Sequence, residues 1–341
     1  MSSTQIFAIL MAGGSGTRFW PASRRAKPKQ FLPIGTHEPL IRETFERLEG
    51  LVEPDHVLVV ANKGHKRLVR EMLPEVPEQN LLLEPEGRNT APCIAWATSV
   101  IEARAPESVQ IVLPSDHLIR PAERFRELLR SATQAAAAED VLVTLGVRPT
   151  FPATGFGYIE RGVPQGALLS SVARFVEKPE RARAEEFVGS GRFLWNSGIF
   201  VWSTAAIVAA LERFCPRTLE AARRFARSGS LKGWSELEPL SIDRGVLERA
   251  ANVRVVPVDF EWNDVGSWTA LAEPGGGGEL LALESQGCIA WAGEGELVAL
   301  LGVHDLVVVH AGKVTLVCPR ERAQDVRLLV AELERRGGGF L

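Results

Sequence analysis

Residues 6–34 read IFAILMAGGSGTRFWPASRRAKPKQFLPI, and this stretch decides the fold. Ile6 to Ala12 is an apolar run of strand length, and Gly13, Gly14 and Gly16 follow it at once. Glycine carries no Cβ and takes positive φ, so backbone N–H groups in such a loop can close around an anion. Arg18, Lys27 and Lys29 lie in the same loop, stiffened by Pro21 and Pro28, so cationic heads can be held toward whatever the N–H groups hold. One loop thus offers both kinds of polyphosphate contact. Two better-known loops are excluded. No Gly-Lys pair precedes Ser or Thr, which removes the P-loop, and Phe19 stands where the dinucleotide fingerprint needs its third glycine.

Outward from this loop, helical and strand patterns alternate. Apolar spacing predicts helices over Pro39–Leu48, Lys66–Leu73, Ala91–Ala103 and Pro121–Ala138, with strands at His56–Ala61, Leu81–Leu83, Val109–Leu113 and Val141–Gly146. Such alternation implies an α/β fold with a mainly parallel sheet covered by helices on both faces. From Thr150 the texture becomes glycine-rich and aromatic, and further helices are expected over Thr204–Phe214, Thr218–Arg227 and Val246–Ala251. Pro274 to Gly278 (PGGGG) marks a linker, so a large domain over 1–273 and a small β-rich one over 279–341 are expected. The second carries short strands and a terminal helix over Gln324–Arg336.

With 341 residues, 45% hydrophobic and 24% charged, the chain can bury a large core. A net charge of −3 gives no broad basic field, which argues against nucleic acid or an anionic membrane as partner. The first apolar run has no Lys or Arg before it and is too short for a signal or a membrane span, so a cytoplasmic location is expected. Cys93, Cys215, Cys288 and Cys318 are far apart and read as reduced thiols, most of them packing residues.

In a parallel sheet, ligands bind beyond the carboxyl ends of the strands, and three chemically loaded segments fall there. They are the first loop, EPEGRNT at Glu84–Thr90, and PSDH at Pro114–His117. EPEGRNT can simply cap a helix through Asn89 or Thr90. It can also read a base, because a carboxylate such as Glu84 accepts two adjacent donors from a guanine edge, where a uracil or thymine edge would face it with a carbonyl. Asp116 can cap the next helix or hold Mg²⁺ beside the phosphate loop, and Asp264, between Asn263 and Gly266, offers a second carboxylate or a turn residue.

The G-G-x-G-x-R, W-P-x-S-R and P-K-Q-F segments resemble the signature of the sugar nucleotidyltransferases, in the version of the mannose-1-phosphate guanylyltransferases. The resemblance runs through EPEGRNTAP, LPSDH, GFGYI, VARFVEKPE, WNSGIF, SIDRGVLERA and FEWNDVGSW, nearly the whole chain. Departures are small: Phe19 where Leu is frequent, and Ser115 where Ala is frequent. It implies a Rossmann-like nucleotide-diphospho-sugar transferase domain, a small left-handed β-helix-like domain that helps pair subunits into a homodimer, and Mg²⁺ as cofactor. It places Gly13, Gly14, Ser15, Gly16 and Thr17 with Arg18 and Lys29 on the phosphates of GTP, and Glu84, Arg88, Asn89 and Thr90 at the nucleotide. Gly157, Glu177, Lys178 and Asn196 are implied for mannose 1-phosphate, and Asp116 and Asp264 for the metal.

Three rivals are weighed. A uridylyl- or thymidylyltransferase for a glucose-type sugar shares the first motif but not the W-P-x-S-R and EPEGRNTAP forms. A glycosyltransferase would typically carry D-x-D, which is absent. A non-catalytic nucleotide-sugar-binding regulator would lack some of the Arg, Lys and Asp groups present here. Longer relatives carry a cupin-like phosphomannose isomerase domain for which this chain is too short, so isomerase activity is not expected.

Overall fold

The computed structural model describes residues 4–14, 16–166, 168–271 and 278–341. Ser15 and all but the last glycine of the expected linker lie outside the described residues. The first half alternates as β1 (Ile6–Ala12), α1 (Leu40–Glu46), β2 (Val57–Asn62), α2 (Lys66–Met72), β3 (Leu81–Glu84), α3 (Thr90–Arg104), β4 (Val109–Pro114), β5 (Leu118–Arg120), α4 (Ala122–Ala138) and β6 (Leu142–Val147). There follow β7 (Gly157–Gln165), β8 (Leu169–Glu177), α5 (Arg181–Ser190), β9 (Phe193–Ser203), α6 (Thr204–Phe214), α7 (Pro216–Ser228), β10 (Val253–Pro257) and β11 (Glu261–Asn263). The C-terminal part holds β12 (Glu279–Leu283), β13 (Ile289–Ala292), β14 (Leu297–Leu301), β15 (Leu306–Ala311), β16 (Val314–Pro319) and α8 (Val326–Arg335).

The main sheet runs β3-β2-β1-β4-β9-β6-β10-β8-β7. β1 is parallel to β2 and β4, with Ile9 opposite Leu58 and Val112. Its unbroken apolar run follows from having helices on both faces: Phe7 and Ile9 enter one core, while Ala8, Leu10 and Ala12 enter the other. The sheet is mixed because β9 lies antiparallel between β4 and β6. Parallel order on one side places the ends of β1, β3 and β4 along one edge, which brings the three loaded segments together.

One expected element differs. The helix expected over Val246–Ala251 is instead a π-helical turn over Asp243–Leu247, where the Glu248 N–H reaches back to the Asp243 carbonyl at 2.8 Å. The wider turn starts earlier than apolar spacing predicts, and Asp243 lines the main cavity.

In the C-terminal part, β12 is parallel to β14 and β13 to β15, with Glu279 opposite Leu297 and Ile289 opposite Val307, as in successive coils of a β-helix. Its core is shared with the first domain: Ile289, Trp291, Val307, Leu316, Val326 and Val330 pack with Phe19, Trp20, Val265 and Trp268.

Candidate active site

A cavity of about 430 Å³ opens at the carboxyl edge of the sheet. Gly13, Gly14, Glu84, Asn89, Thr90, Asp116, Gly157, Glu177, Lys178, Asn196 and Asp264 line it, eleven of the expected residues from segments far apart in sequence.

The first group surrounds Glu84, at the end of β3. The residue is 3% exposed, and Oε1 is buried with no hydrogen-bond partner. Burial pushes this carboxyl up to about 7. Oε2 would sit 3.0 Å from a Cβ added at Gly13, so the carboxylate lies directly against the glycine loop. Cys93, from α3, lines the cavity too. Asn89 is the cap of α3, its side chain accepting from the Thr90 N–H at 2.8 Å, and the Thr90 hydroxyl accepts from the Ile242 N–H at 2.8 Å. Capping and cavity lining are therefore compatible here.

The glycine loop is held from behind. Gln30 Nε2 donates to the carbonyls of Ala12 at 2.7 Å and Gly14 at 3.0 Å. Gly16 takes φ 60°, and a Cβ there would stand 2.8 Å from the Lys29 backbone nitrogen, so no side chain fits. Thr17 and Arg18 are exposed and do not line the cavity, although Arg18 is close enough for its charge to act on Asp116 and Asp264.

The second group holds the two aspartates. Burial works to raise the Asp116 carboxyl, but Lys29, His117 and Arg18 outweigh it and hold it below the usual range. Burial pushes Asp264 up against Lys29 and Arg18, and the negative charge of Asp116 adds to the rise. Lys29 is placed differently from the expectation that it reaches the nucleotide phosphates. It is buried, and its ammonium spends all three protons inside the protein, on Asp116 Oδ2 at 2.7 Å and on the carbonyls of Asp264 at 2.9 Å and Val265 at 3.1 Å. Arg88 pairs its guanidinium with Glu86 at 2.5 Å and does not line the cavity.

His117 and Trp262 also line this region. The Trp262 indole donates to His117 Nδ1 at 3.2 Å. An indole N–H can only donate, so the neutral imidazole carries its proton on Nε2, which lies 3.7 Å from Asp116 Oδ1. Burial outweighs the pull of Asp116 and pushes the ring's pKa down to about 4, so it is neutral at pH 7.

The third group is rich in oxygen acceptors. Asn196 Nδ2 donates to Asp243 Oδ1 at 2.8 Å, and its Oδ1 accepts from Thr144 at 2.9 Å. Burial, then the charge of Glu177, raises the Asp243 carboxyl. Lys178 takes φ 49°, a region lysine avoids, and its ammonium lies 3.1 Å from Glu177 Oε1. A Cβ at Gly157 would come within 2.7 Å of Glu177 Oε2, so this glycine leaves room for that carboxylate. Asp243, Gln30, Cys93 and Trp262 were not singled out from sequence. Gln30, Trp262 and Asp243 lay in stretches already marked, PKQF, FEWNDVGSW and SIDRGVLERA, and Cys93 directly follows EPEGRNTAP.

The profile of the nucleotidyl transferase family matches residues 7–275. The chain belongs to the nucleotidyl transferase family. A second profile, the MannoseP isomerase/GMP-like beta-helix domain, matches residues 278–333. Among curated relatives, a mannose-1-phosphate guanylyltransferase of Klebsiella pneumoniae is 38% identical over 97% of this chain and 74% of its own length. The xanthan biosynthesis protein XanB of Xanthomonas campestris is 36% identical over 98% of this chain and 74% of its own. A crystal structure from Thermus thermophilus, described as a mannose-1-phosphate geranyltransferase, superposes with a TM-score of 0.90 at 37% identity, over 97% of this chain and all of that one. In this nucleotidyl transferase, no helix among the described residues is long and apolar enough to cross a membrane.

Proposed function

We propose that the chain transfers GMP from GTP to mannose 1-phosphate, giving GDP-mannose and pyrophosphate. The observation that carries the base assignment is the buried Glu84 carboxylate with its unpartnered Oε1, a paired acceptor matched to the N1–H and exocyclic amine of guanine. The names of the curated relatives support the same substrates.

A phosphate oxygen of the sugar attacks the α-phosphorus in line, the bond to the bridging oxygen of pyrophosphate breaks, and GDP-mannose forms without a covalent enzyme intermediate. The attacking phosphate is already largely ionised at neutral pH, so no general base is needed. The protein supplies position and charge. Backbone N–H groups of the glycine loop and Arg18 hold the phosphates, Glu177, Asn196 and Asp243 receive sugar hydroxyls, and Lys178 grips the sugar phosphate. Lys29 acts one step back, by fixing the aspartate segments.

Mg²⁺ is the cofactor of this reading. Two carboxylates facing one cavity, the charge of Asp116 raising Asp264, offer hard oxygen donors that suit it, and Asp116 and Asp264 would hold it. When bound, it neutralises charge on the transferring phosphates.

A homodimer is part of the proposal. Exposed Leu281 and Leu283 on β12 and Leu297 and Leu301 on β14 share one strand face, an apolar surface for pairing, and light scattering on Leu→Glu variants of that face tests it. The reaction is tested by release of pyrophosphate from GTP and mannose 1-phosphate with Mg²⁺. Equal turnover with UTP or dTTP would overturn the guanylyl assignment.

A further inference from the structure

One part of the first signature has no place in the chemistry so far. Trp20 to Arg24 do not line the cavity. Trp20 and Arg24 turn to the C-terminal domain. Trp20 Nε1 donates to the Phe340 carbonyl at 2.8 Å, and Arg24 donates to that same carbonyl and, at 3.5 Å, to Ala311. Arg25 pairs with Glu334 at 2.7 Å. Helix α8 packs on the helical turn Thr17–Phe19, and Phe19, next to Arg18, shares a core with Val326 and Val330.

The same domain supports the other aspartate. Val265 takes φ 47°, an outlier for a β-branched residue, and is fully buried in the core shared with Trp291, Val326 and Val330. Trp268 belongs to that core, and its indole donates to the Trp20 carbonyl at 3.2 Å. The glycine loop and the Asp264 segment are thus bonded to each other and backed by one apolar core. A glycine-rich loop left alone samples many conformers, whereas phosphoryl transfer tolerates little displacement of its charges.

We infer that the C-terminal domain is a positioning element for the phosphate loop, with Trp20 and Arg24 as the latch that joins them. Neither residue touches substrate. They set where Arg18 and the loop N–H groups stand. The kinetic consequence rests on the proposed guanylyl transfer, while the structural consequence does not.

Trp20→Phe keeps the ring and removes its N–H, and Arg24→Ala removes the second donor. Amide hydrogen exchange is compared in wild type, both single variants and the double variant. Exchange over residues 16–31 is expected to accelerate by about tenfold or more, with β4 and β6 unchanged. With GTP and mannose 1-phosphate, kcat should fall about 10- to 100-fold. KM for mannose 1-phosphate should stay within about twofold, since the Glu177 and Asn196 group is not tied to the latch. Wild-type exchange over 16–31 in the double variant would overturn the latch, and so would a loosened loop with unchanged kcat. If the wild type itself showed no turnover, the proposed reaction would fail, and the exchange comparison would still decide the latch.

Discussion

Lys29 holds Asp116 Oδ2 at 2.7 Å, and through its two other protons it also holds the Asp264 and Val265 carbonyls, at 2.9 and 3.1 Å. One ammonium thus ties together carboxylate-bearing segments that follow β4 and β11. The strained Val265 is held from both sides, since its N–H donates to Asn263 Oδ1 at 2.7 Å. Lys29 is placed as a strut, while Arg18 is exposed and, in the proposed reaction, meets phosphate.

The two residues should therefore separate by experiment. Arg18→Ala should lower turnover by roughly 10² with the melting temperature unchanged, because Arg18 is exposed and its loss removes charge at the transferring group alone. Lys29→Met should lower turnover and also destabilise the fold. Breaking a buried pair costs about 3–5 kcal/mol, and solvent reaching Asp116, whose side chain is 33% exposed, puts the expected loss near or below the lower end. Thermal melts and steady-state kinetics of both variants check this. A Lys29→Met protein with wild-type stability would remove the strut.

Glu84 gives a pH prediction with two signs. Guanine presents donors, so GTP binds the ionised carboxylate, and the free group titrates at about 7. KM for GTP should rise by about tenfold per unit as pH falls below 7. Stability runs the other way. A carboxyl whose folded pKa is raised contributes its full share below the unfolded value, 4.5, and that share is lost as pH rises through about 7. The loss is on the order of 3 kcal/mol. Glu84→Gln should flatten the GTP profile and make the protein more stable than wild type at pH 8. Asp243, raised by burial and Glu177, gives a slope of the same sign, so some pH dependence should persist. An unchanged GTP preference in Glu84→Gln would remove the base assignment.

The tautomer of His117 can be read directly. Long-range ¹H–¹⁵N correlation spectra of the free protein should show Nδ1 as the bare nitrogen and Nε2 as the protonated one, since the Trp262 indole donates to Nδ1 at 3.2 Å. Trp262→Phe removes that donor, so the spectrum should move toward a mixture of tautomers. A proton on Nδ1 in the wild type would contradict the geometry.

Much of this was legible from sequence because the strands of the parallel half carry their own signal. Ile6–Ala12 and Val109–Pro114 are apolar on both faces only because helices cover both, and parallel order then gathers their ends. Glu84 and Asp116, singled out beyond strand ends, line the cavity for that reason. What sequence could not give was the direction in which a long side chain turns. Lys29 and Arg88 sit in motifs that suggest phosphate and base, yet each meets a protein partner first. Asp243 was hidden because a π-helical turn breaks the apolar period by which helices are recognised. The contact of Trp20 with Phe340 was invisible because the two lie 320 residues apart.

The metal gives the last prediction, and Lys29 decides its sign. Asp116 in the free protein is already neutralised by an ammonium, so a divalent cation must displace that partner and also meet Asp264, whose carboxyl burial has raised. Phosphate oxygens from GTP add hard ligands to the two carboxylates and shift this balance. Mg²⁺ should bind weakly to the free protein and about tenfold or more tightly with GTP present, a coupling measurable by titration calorimetry or by Mn²⁺ resonance spectra. Asp116→Ala and Asp264→Ala should each abolish the GTP-dependent gain with the fold intact. Lys29→Met should do the opposite in the free protein and strengthen cation binding, because it frees the Asp116 carboxylate. Tight Mg²⁺ binding to the wild type without nucleotide, or no strengthening in Lys29→Met, would show that the ammonium does not guard the site.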